Sequence, residues 1–285
     1  MRFELRLEVN KQAFGNVLPI NYQYEQSAVI YRILSRASEE YAAWLHENGF
    51  QLENGKRFKL FTYSRLKIEK RQILEKEERI RIFSGSVEWQ ISFLPERSTE
   101  KFIQGLFANQ VFEIGDKKSV VQFRVQKVEV LPPPDFSKEM GFSTMSPICL
   151  KQSRDDKSIE YISPSHENAR TAMLTGLLSR YQAFYGKPYD GELFFDFKLL
   201  SAPKSVLVKI KADTEEETKV KAYMCRFSVK APKALMQILY ESGLGEECSQ
   251  GFGCVRVIKN KNMFVKNCQN KEVDLQNENK WIWIH

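Results

Sequence analysis

Residues 2–9 alternate without a break. Phe3, Leu5, Leu7 and Val9 fall on one side, and Arg2, Glu4, Arg6 and Glu8 on the other. A period of two puts the first set on one face of a strand, so this segment reads as a strand half-buried against a core. The period then changes. Val29, Ile30, Ile33 and Leu34 recur at helical spacing and predict a helix over about residues 25–37. Ser38, followed by Glu39 and Glu40, reads as the N-cap of a second, shorter helix that stops at Gly49. Strands are expected at 58–68 and 79–94, the latter broken into a hairpin at Ser84-Gly85-Ser86. A helix capped near Ser98 carries Phe102, Ile103, Leu106 and Phe107, and a last strand covers 119–130.

The order strand, helix, strand, strand, helix, strand is that of the split βαβ, or ferredoxin-like, unit. It is stopped by Leu131-Pro132-Pro133-Pro134-Asp135, because three prolines continue neither a sheet nor a helix interior. The order then repeats. A strand is expected at 142–152, with a partner at 158–163. A helix capped by Ser165 carries Met173, Leu174, Leu177, Leu178 and Tyr181 and ends before Gly186. Strands follow at 191–212 and 217–229. Pro232 opens a further helix at its first position, Gly243 closes it, and a strand begins near Gly253. The expected fold class is therefore α+β, with two tandem ferredoxin-like (RRM-like, βαββαβ) domains. They span 1–131 and 141–261, with a linker at 132–140. Residues 262–285 fit neither copy. They end in Trp281-Ile282-Trp283-Ile284 and are expected to add an edge strand or to meet a partner.

A chain of 285 residues is long enough for each half to bury its own core. Its net charge of +7 is unevenly spread: Lys56, Arg57, Lys59, Arg65, Lys67, Lys70 and Arg71 stand against the single acid Glu69 in that interval, and the rest of the chain is close to neutral. Such a segment is either a solvated strand face or a surface that tracks phosphates. Five cysteines without a C-x-x-C pair read as reduced thiols of a cytoplasmic protein, and the three histidines do not stand at zinc spacing from them. No metal site and no cofactor is expected. No apolar run approaches the roughly 18 residues that span a bilayer, so no membrane partner is expected. The N-terminus enters a strand pattern at once, which leaves no room for a targeting peptide.

Gly243-Leu244-Gly245 and Gly251-Phe252-Gly253 stand five residues apart, between the last helix and the last strand of the second unit. Glycines permit positive φ and close backbone approach, and successive N–H groups in such a loop can hold phosphate oxygens. A helix C-cap followed by a hairpin turn is the simpler reading of either pair alone. The doubled pattern is not a dinucleotide fingerprint, which follows a strand and opens a helix.

The loop resembles the signature of the RAMP superfamily of CRISPR-associated proteins. More closely, the chain is similar to the CRISPR repeat-processing endoribonucleases. It shares with them MRFELRL at the N-terminus, the helix bearing Tyr31, WLHENGF around His46, KLFTYS around Lys59, TMSPICL near Pro147 and the closing GLGEECSQGFG, in that order. The family often has a basic residue between the glycine pairs, whereas this chain has Glu246 and Glu247, so loop side chains are not expected to grip phosphate. The resemblance implies two tandem ferredoxin-like domains and a catalytic set of Tyr31, His46 and Lys59. It also implies CRISPR repeat RNA as the substrate, with effector-complex subunits and a second copy of the chain as further partners.

Each of these residues has a plainer role open to it. Tyr31 follows Val29 and Ile30 and could be a core residue with a wet hydroxyl. His46 falls beside the apolar arc of its helix, next to Ala42, in a partly exposed position. Lys59 is one base among several. If the family roles hold, the RNA supplies its own 2′-OH nucleophile and no metal is needed. His46 would move a proton, Lys59 would stay charged and stabilise the phosphorane, and Tyr31 would donate a hydrogen bond. Two readings compete: a non-catalytic RNA-binding subunit of an effector complex, and an unrelated small-molecule enzyme on the same fold.

Overall fold

The computed structural model describes residues 1–212 and 214–258, so the Trp281–Ile284 end of the tail lies outside the described residues. The first sheet has five antiparallel strands in the order Phe61–Tyr63, Ser86–Phe93, Arg2–Asn10, Val120–Leu131 and Val111–Gly115. The first four carry the ferredoxin-like order, in which the unit's second strand lies at the edge, followed by the third, first and fourth. The alternation in Arg2–Asn10 sets which face is covered: Phe3, Leu5, Leu7 and Val9 are buried. A one-turn helix, α1 (Lys11–Phe14), follows the first strand. Helix α2 (Gln23–Ala37) then lays Val29, Ile30, Ile33 and Leu34, all fully buried, against the core. Each such side chain contributes about 1.5–3 kcal/mol. Ser38 caps the next helix, α3 (Glu39–Glu47), by accepting from the Tyr41 N–H at 3.2 Å. Helix α4 (Glu96–Ala108) packs so closely on α2 that a Cβ on Gly105 would stand 1.7 Å from the Ile33 carbonyl oxygen.

The second sheet repeats the order with Asp196–Leu199, Arg226–Lys230, Glu139–Thr144 and Val255–Val257. Helices α5 (Ala169–Tyr185) and α6 (Lys233–Ser242) supply its core. Between the two sheets, Arg2 is buried and donates to the Tyr240 and Val255 carbonyls, each at 2.5 Å.

Several expected elements divide differently. The strand expected at 58–68 breaks into Arg57–Phe58 and Phe61–Tyr63, because Leu60 takes φ 54° between them. The 79–94 stretch is not one hairpin. Its first part, Arg79–Ile82, pairs with Val17–Pro19 and Arg71–Leu74 in a separate three-stranded sheet. The edge strand Val111–Gly115 had no expectation at all. In the second half, Glu139–Thr144 and Lys151–Ser153 replace the single strand expected at 142–152. The 191–212 and 217–229 stretches each split as well, and their inner parts form the hairpin Lys204–Ile210 with Thr218–Met224. This hairpin reaches the N-terminal half: Tyr24 packs on the cluster of Val208, Ile210 and Val220, and the Lys209 N–H donates to Asn21 Oδ1 at 3.1 Å.

Three cap assignments also change. Helix α4 begins at Glu96 after Pro95, which frees Ser98 to share a 2.5 Å hydrogen bond with the Tyr41 hydroxyl in the core. Helix α5 begins at Ala169 after Asn168, and Ser165 bonds Ser163 instead of capping it. Pro232 sits at the N-cap of α6, one residue before the first helical position.

Candidate active site

Tyr31, His46 and Lys59 come from three different elements and meet at one place. Tyr31 follows Val29 and Ile30, two of the fully buried residues of α2, and is itself half-buried. His46 lies in the last turn of α3 and is exposed. The two rings meet edge to face with centroids 5.1 Å apart, and Tyr31 also meets Phe61 edge to face at 5.9 Å. The Lys59 ammonium donates to the His46 backbone carbonyl at 2.5 Å.

The local fold explains why Lys59 reaches that point. Gly49 ends α3 with φ 60° and donates to the Trp44 carbonyl at 2.9 Å. Phe50 and Gln51 then pair with Phe58 and Arg57, which returns the chain against the end of α3. The return is tight: a Cβ on Gly49 would lie 2.5 Å from the Phe58 carbonyl oxygen and 3.0 Å from Lys59 Cδ. Phe58 and Leu60 pack into the C-terminal core, whereas Phe61 packs into the N-terminal one. The left-handed Leu60 makes that exchange possible and leaves Lys59 facing α3.

Burial pushes Lys59 down to about 8, the Arg57 charge acts in the same direction, and Glu47 opposes both. Lys59 is therefore more easily deprotonated than its residue type suggested. Burial acts on the Tyr31 phenol in the other direction, holding it well above its ordinary value and hence protonated.

The other basic residues are spread over several elements: Arg57 lies in the return strand paired with Phe50–Gln51, Lys67 bridges Glu88 of the first sheet, and Arg71 begins a strand of the three-stranded sheet. Lys56 pairs with Glu246 at 3.1 Å and Lys67 with Glu88 at 2.8 Å, both partly exposed, and Lys70 is exposed. Arg57 donates to the Glu47 carbonyl at 2.9 Å. Arg65 donates to the Ile20 carbonyl at 3.2 Å and Arg71 to that of Ile68 at 2.5 Å.

The glycine loop is largely turned inward. Gly243, Gly245, Gly251 and Gly253 all have positive φ. The N–H groups of Leu244, Glu246 and Gly253 go to the carbonyls of Gly253, Cys149 and Pro147. These groups are therefore occupied within the protein and do not form an open phosphate nest. What the sequence did not signal is Arg180 of α5, buried, which donates to the carbonyls of Gly243 and Gly245. The loop is also bound to the N-terminal half, through Ser27 to the Ser249 carbonyl and Thr62 to that of Phe252, both at 2.9 Å. A cleft of about 230 Å³ runs between the Lys56–Phe61 segment, Arg180 and the Glu246–Gln250 stretch.

Two tandem ferredoxin-like domains, with a glycine loop before the last strand, define a CRISPR-associated protein of the RAMP type. The family models agree: the model of the N-terminal part of CRISPR-associated protein Cas6 matches residues 17–129, and that of the C-terminal part matches 131–257. A CRISPR-associated endoribonuclease Cas6 of Methanocaldococcus jannaschii is 30% identical over 276 residues, 95% of this chain and 100% of that protein. One from Pyrococcus furiosus is 29% identical over 264 residues, covering 92% and 91%. The solved structure of a Cas6-related protein of Pyrococcus furiosus superposes with a TM-score of 0.76 at 25% identity, covering 91% of this chain and 99% of that one. The chain belongs to the Cas6 family of CRISPR-associated endoribonucleases.

Proposed function

We propose that this chain cuts CRISPR precursor RNA within its repeats, without a metal ion, by attack of the RNA's own 2′-OH on the adjacent phosphorus. The observation that carries the reading is the convergence of Tyr31 and Lys59, far apart in sequence, on the exposed His46, with Lys59 lining a cleft. The 2′-oxygen bonds to phosphorus and the bond to the 5′-oxygen breaks. The ends are a 2′,3′-cyclic phosphate and a 5′-OH. One proton must leave the 2′-OH and one must reach the leaving oxygen. His46, exposed and held by its helix, is assigned the proton transfer. Lys59, charged below about pH 8, leaves the His46 carbonyl to stabilise the phosphorane oxygens. Tyr31 remains a hydroxyl and donates to a phosphate oxygen.

Lys56, Lys67 and Lys70 are assigned the phosphate track, since their side chains are at least partly exposed and pair, where they do, with partly exposed carboxylates. Exchanging Lys56 and Lys67 from carboxylates to phosphates makes binding sensitive to salt. An affinity that changes less than about twofold between 50 and 200 mM salt argues against the track.

The deciding experiment incubates the protein with the repeat RNA of its own genome in excess EDTA, beside His46→Ala. Cutting at one site by the wild type, with a rate lower by about 10²-fold or more in the variant, supports the reading. Tight binding by both without cutting makes the chain a non-catalytic RNA-binding subunit. Equal cutting by both removes His46 from the chemistry.

A further inference from the structure

The end of α3 is held by two cations. A helix leaves its last carbonyls without intrahelical partners, and its C-terminal end carries partial negative charge. In α3 these groups include the carbonyls of His46 and Glu47. Lys59 Nζ holds the first at 2.5 Å, and the Arg57 guanidinium holds the second at 2.9 Å. Arg57 lies in the short return strand and Lys59 directly follows it, and the return is tight against the helix end at Gly49. The arrangement poses a conflict for the proposed chemistry. If Lys59 turns to the scissile phosphate, the His46 carbonyl loses its partner while the His46 ring must stay in place.

We propose that Arg57 is a positioning residue, which keeps the end of α3 and thus the His46 imidazole in register when Lys59 moves from the His46 carbonyl to the RNA. This inference rests on the proposed function and assigns Arg57 to the protein's own backbone instead of to the phosphate track. Arg57 suits the task because its planar guanidinium stays charged and gives directed hydrogen bonds, whereas the lysine is a flexible point charge that can move away. The pairing of Gln51 with Arg57 fixes its backbone independently of RNA. The Arg57 charge also acts on its neighbour: it is among the causes that lower Lys59. A residue there therefore affects both the place of the histidine and the protonation of the lysine.

The test measures single-turnover cleavage of repeat RNA at saturating enzyme for the wild type, Arg57→Gln and Arg57→Lys. Affinity is measured separately on a repeat carrying a 2′-deoxy nucleotide at the cut site, which binds but has no nucleophile. The expectation for Arg57→Gln is a saturated rate lower by about 10-fold or more, in line with the cost of small misplacements in active sites, at an affinity within about twofold of the wild type. Its alkaline limb shifts to higher pH, because Lys59 loses a neighbouring positive charge. Arg57→Lys, which keeps a charged donor, recovers part of the rate and leaves the limb near its original place. A merely structural defect would not move the limb. The proposal is overturned if Arg57→Gln weakens binding while the saturated rate is unchanged, since Arg57 is then a phosphate contact. It is overturned equally if neither rate nor limb moves. A wild type that binds and never cuts instead removes the nuclease reading beneath it, an outcome read on the wild type alone.

Discussion

At the scale of single residues, Lys59 has an environment far from what its type suggests. Its stem is pressed against Gly49, and its head lies beside Arg57 at a helix end. Burial penalises the charged form, and at about 8 the side chain titrates within the working range of a nuclease. The protonated form is the one that stabilises negative charge. Cleavage at saturating enzyme should therefore be fully supported below pH 8 and should fall about tenfold per unit well above it, as the proton is lost. Rates between pH 6 and 10 measure this, and a profile that is flat across pH 8 in both wild type and Lys59→Ala would remove Lys59 from the chemistry. Tyr31 gives a complementary case. Its ring packs on His46 and Phe61, so Tyr31→Phe keeps the ring contacts and loses only the hydroxyl. Burial keeps that hydroxyl protonated, so it serves as a donor and not as a base. The expected result is a rate lower by on the order of 10-fold to 10²-fold, with the melting temperature unchanged. A variant that cuts at the wild-type rate would make Tyr31 a packing residue only.

At the scale of elements, the return from α3 into the Arg57–Phe58 strand places the lysine, and Gly49 permits that return. Two glycines in this region both have positive φ but differ in surroundings. Gly55, at φ 82° in the exposed turn, would give a Cβ open space, whereas Gly49, at φ 60°, would drive one into the Phe58 carbonyl and Lys59. Gly55→Ala should cost about 1–2 kcal/mol through the left-handed backbone alone. Gly49→Ala adds overpacking and should cost about 2–5 kcal/mol in all, with cleavage lowered as well because Lys59 is displaced. Urea unfolding of both variants reads the difference, and equal losses would show that the close approach relaxes without effect.

The same region marks how far the sequence could be read. Periodicity located Arg2–Asn10, α2 and α3, and the Ser38 cap, because each rests on local spacing and side-chain chemistry. It could not locate the break at Leu60, since Phe58, Leu60 and Phe61 look alike in sequence and differ only in which of two cores they enter. The hairpin Lys204–Met224 was merged into neighbouring strands for a related reason: its pairing partner is itself, while its docking partner, Tyr24, is far away in sequence. The three residues brought together at the site were legible through motifs. The hold of Arg180 on the glycine loop was not, because an arginine in a helix gives no sign of being buried.

At the scale of the whole molecule, the proposed site depends on both halves of the chain, although Tyr31, His46 and Lys59 all come from the first. Phe58 and Leu60, on either side of Lys59, are anchored in the C-terminal core, and the glycine loop closes the cleft from the same side. The relative placement of the halves is thus part of the geometry. Arg2 is a principal link. It begins the first strand, lies buried, rests 3.7 Å above the Tyr240 ring, and donates to Tyr240 at the end of α6 and to Val255 in the last strand. Beside it the N-terminal ammonium pairs with Glu241 at 3.2 Å. Arg2→Met would retain much of the apolar stem and take away both donors, leaving two carbonyls at the interface without their partner. Unsatisfied buried groups cost about 1–3 kcal/mol each, so a loss of about 2–6 kcal/mol is expected in urea unfolding. Cleavage should fall at temperatures where the variant remains folded, because the lysine segment is anchored on the domain that Arg2 holds. If the variant instead unfolds within about 0.5 kcal/mol of the wild type, apolar packing alone fixes the two halves, and the Arg2 contacts are incidental to the site.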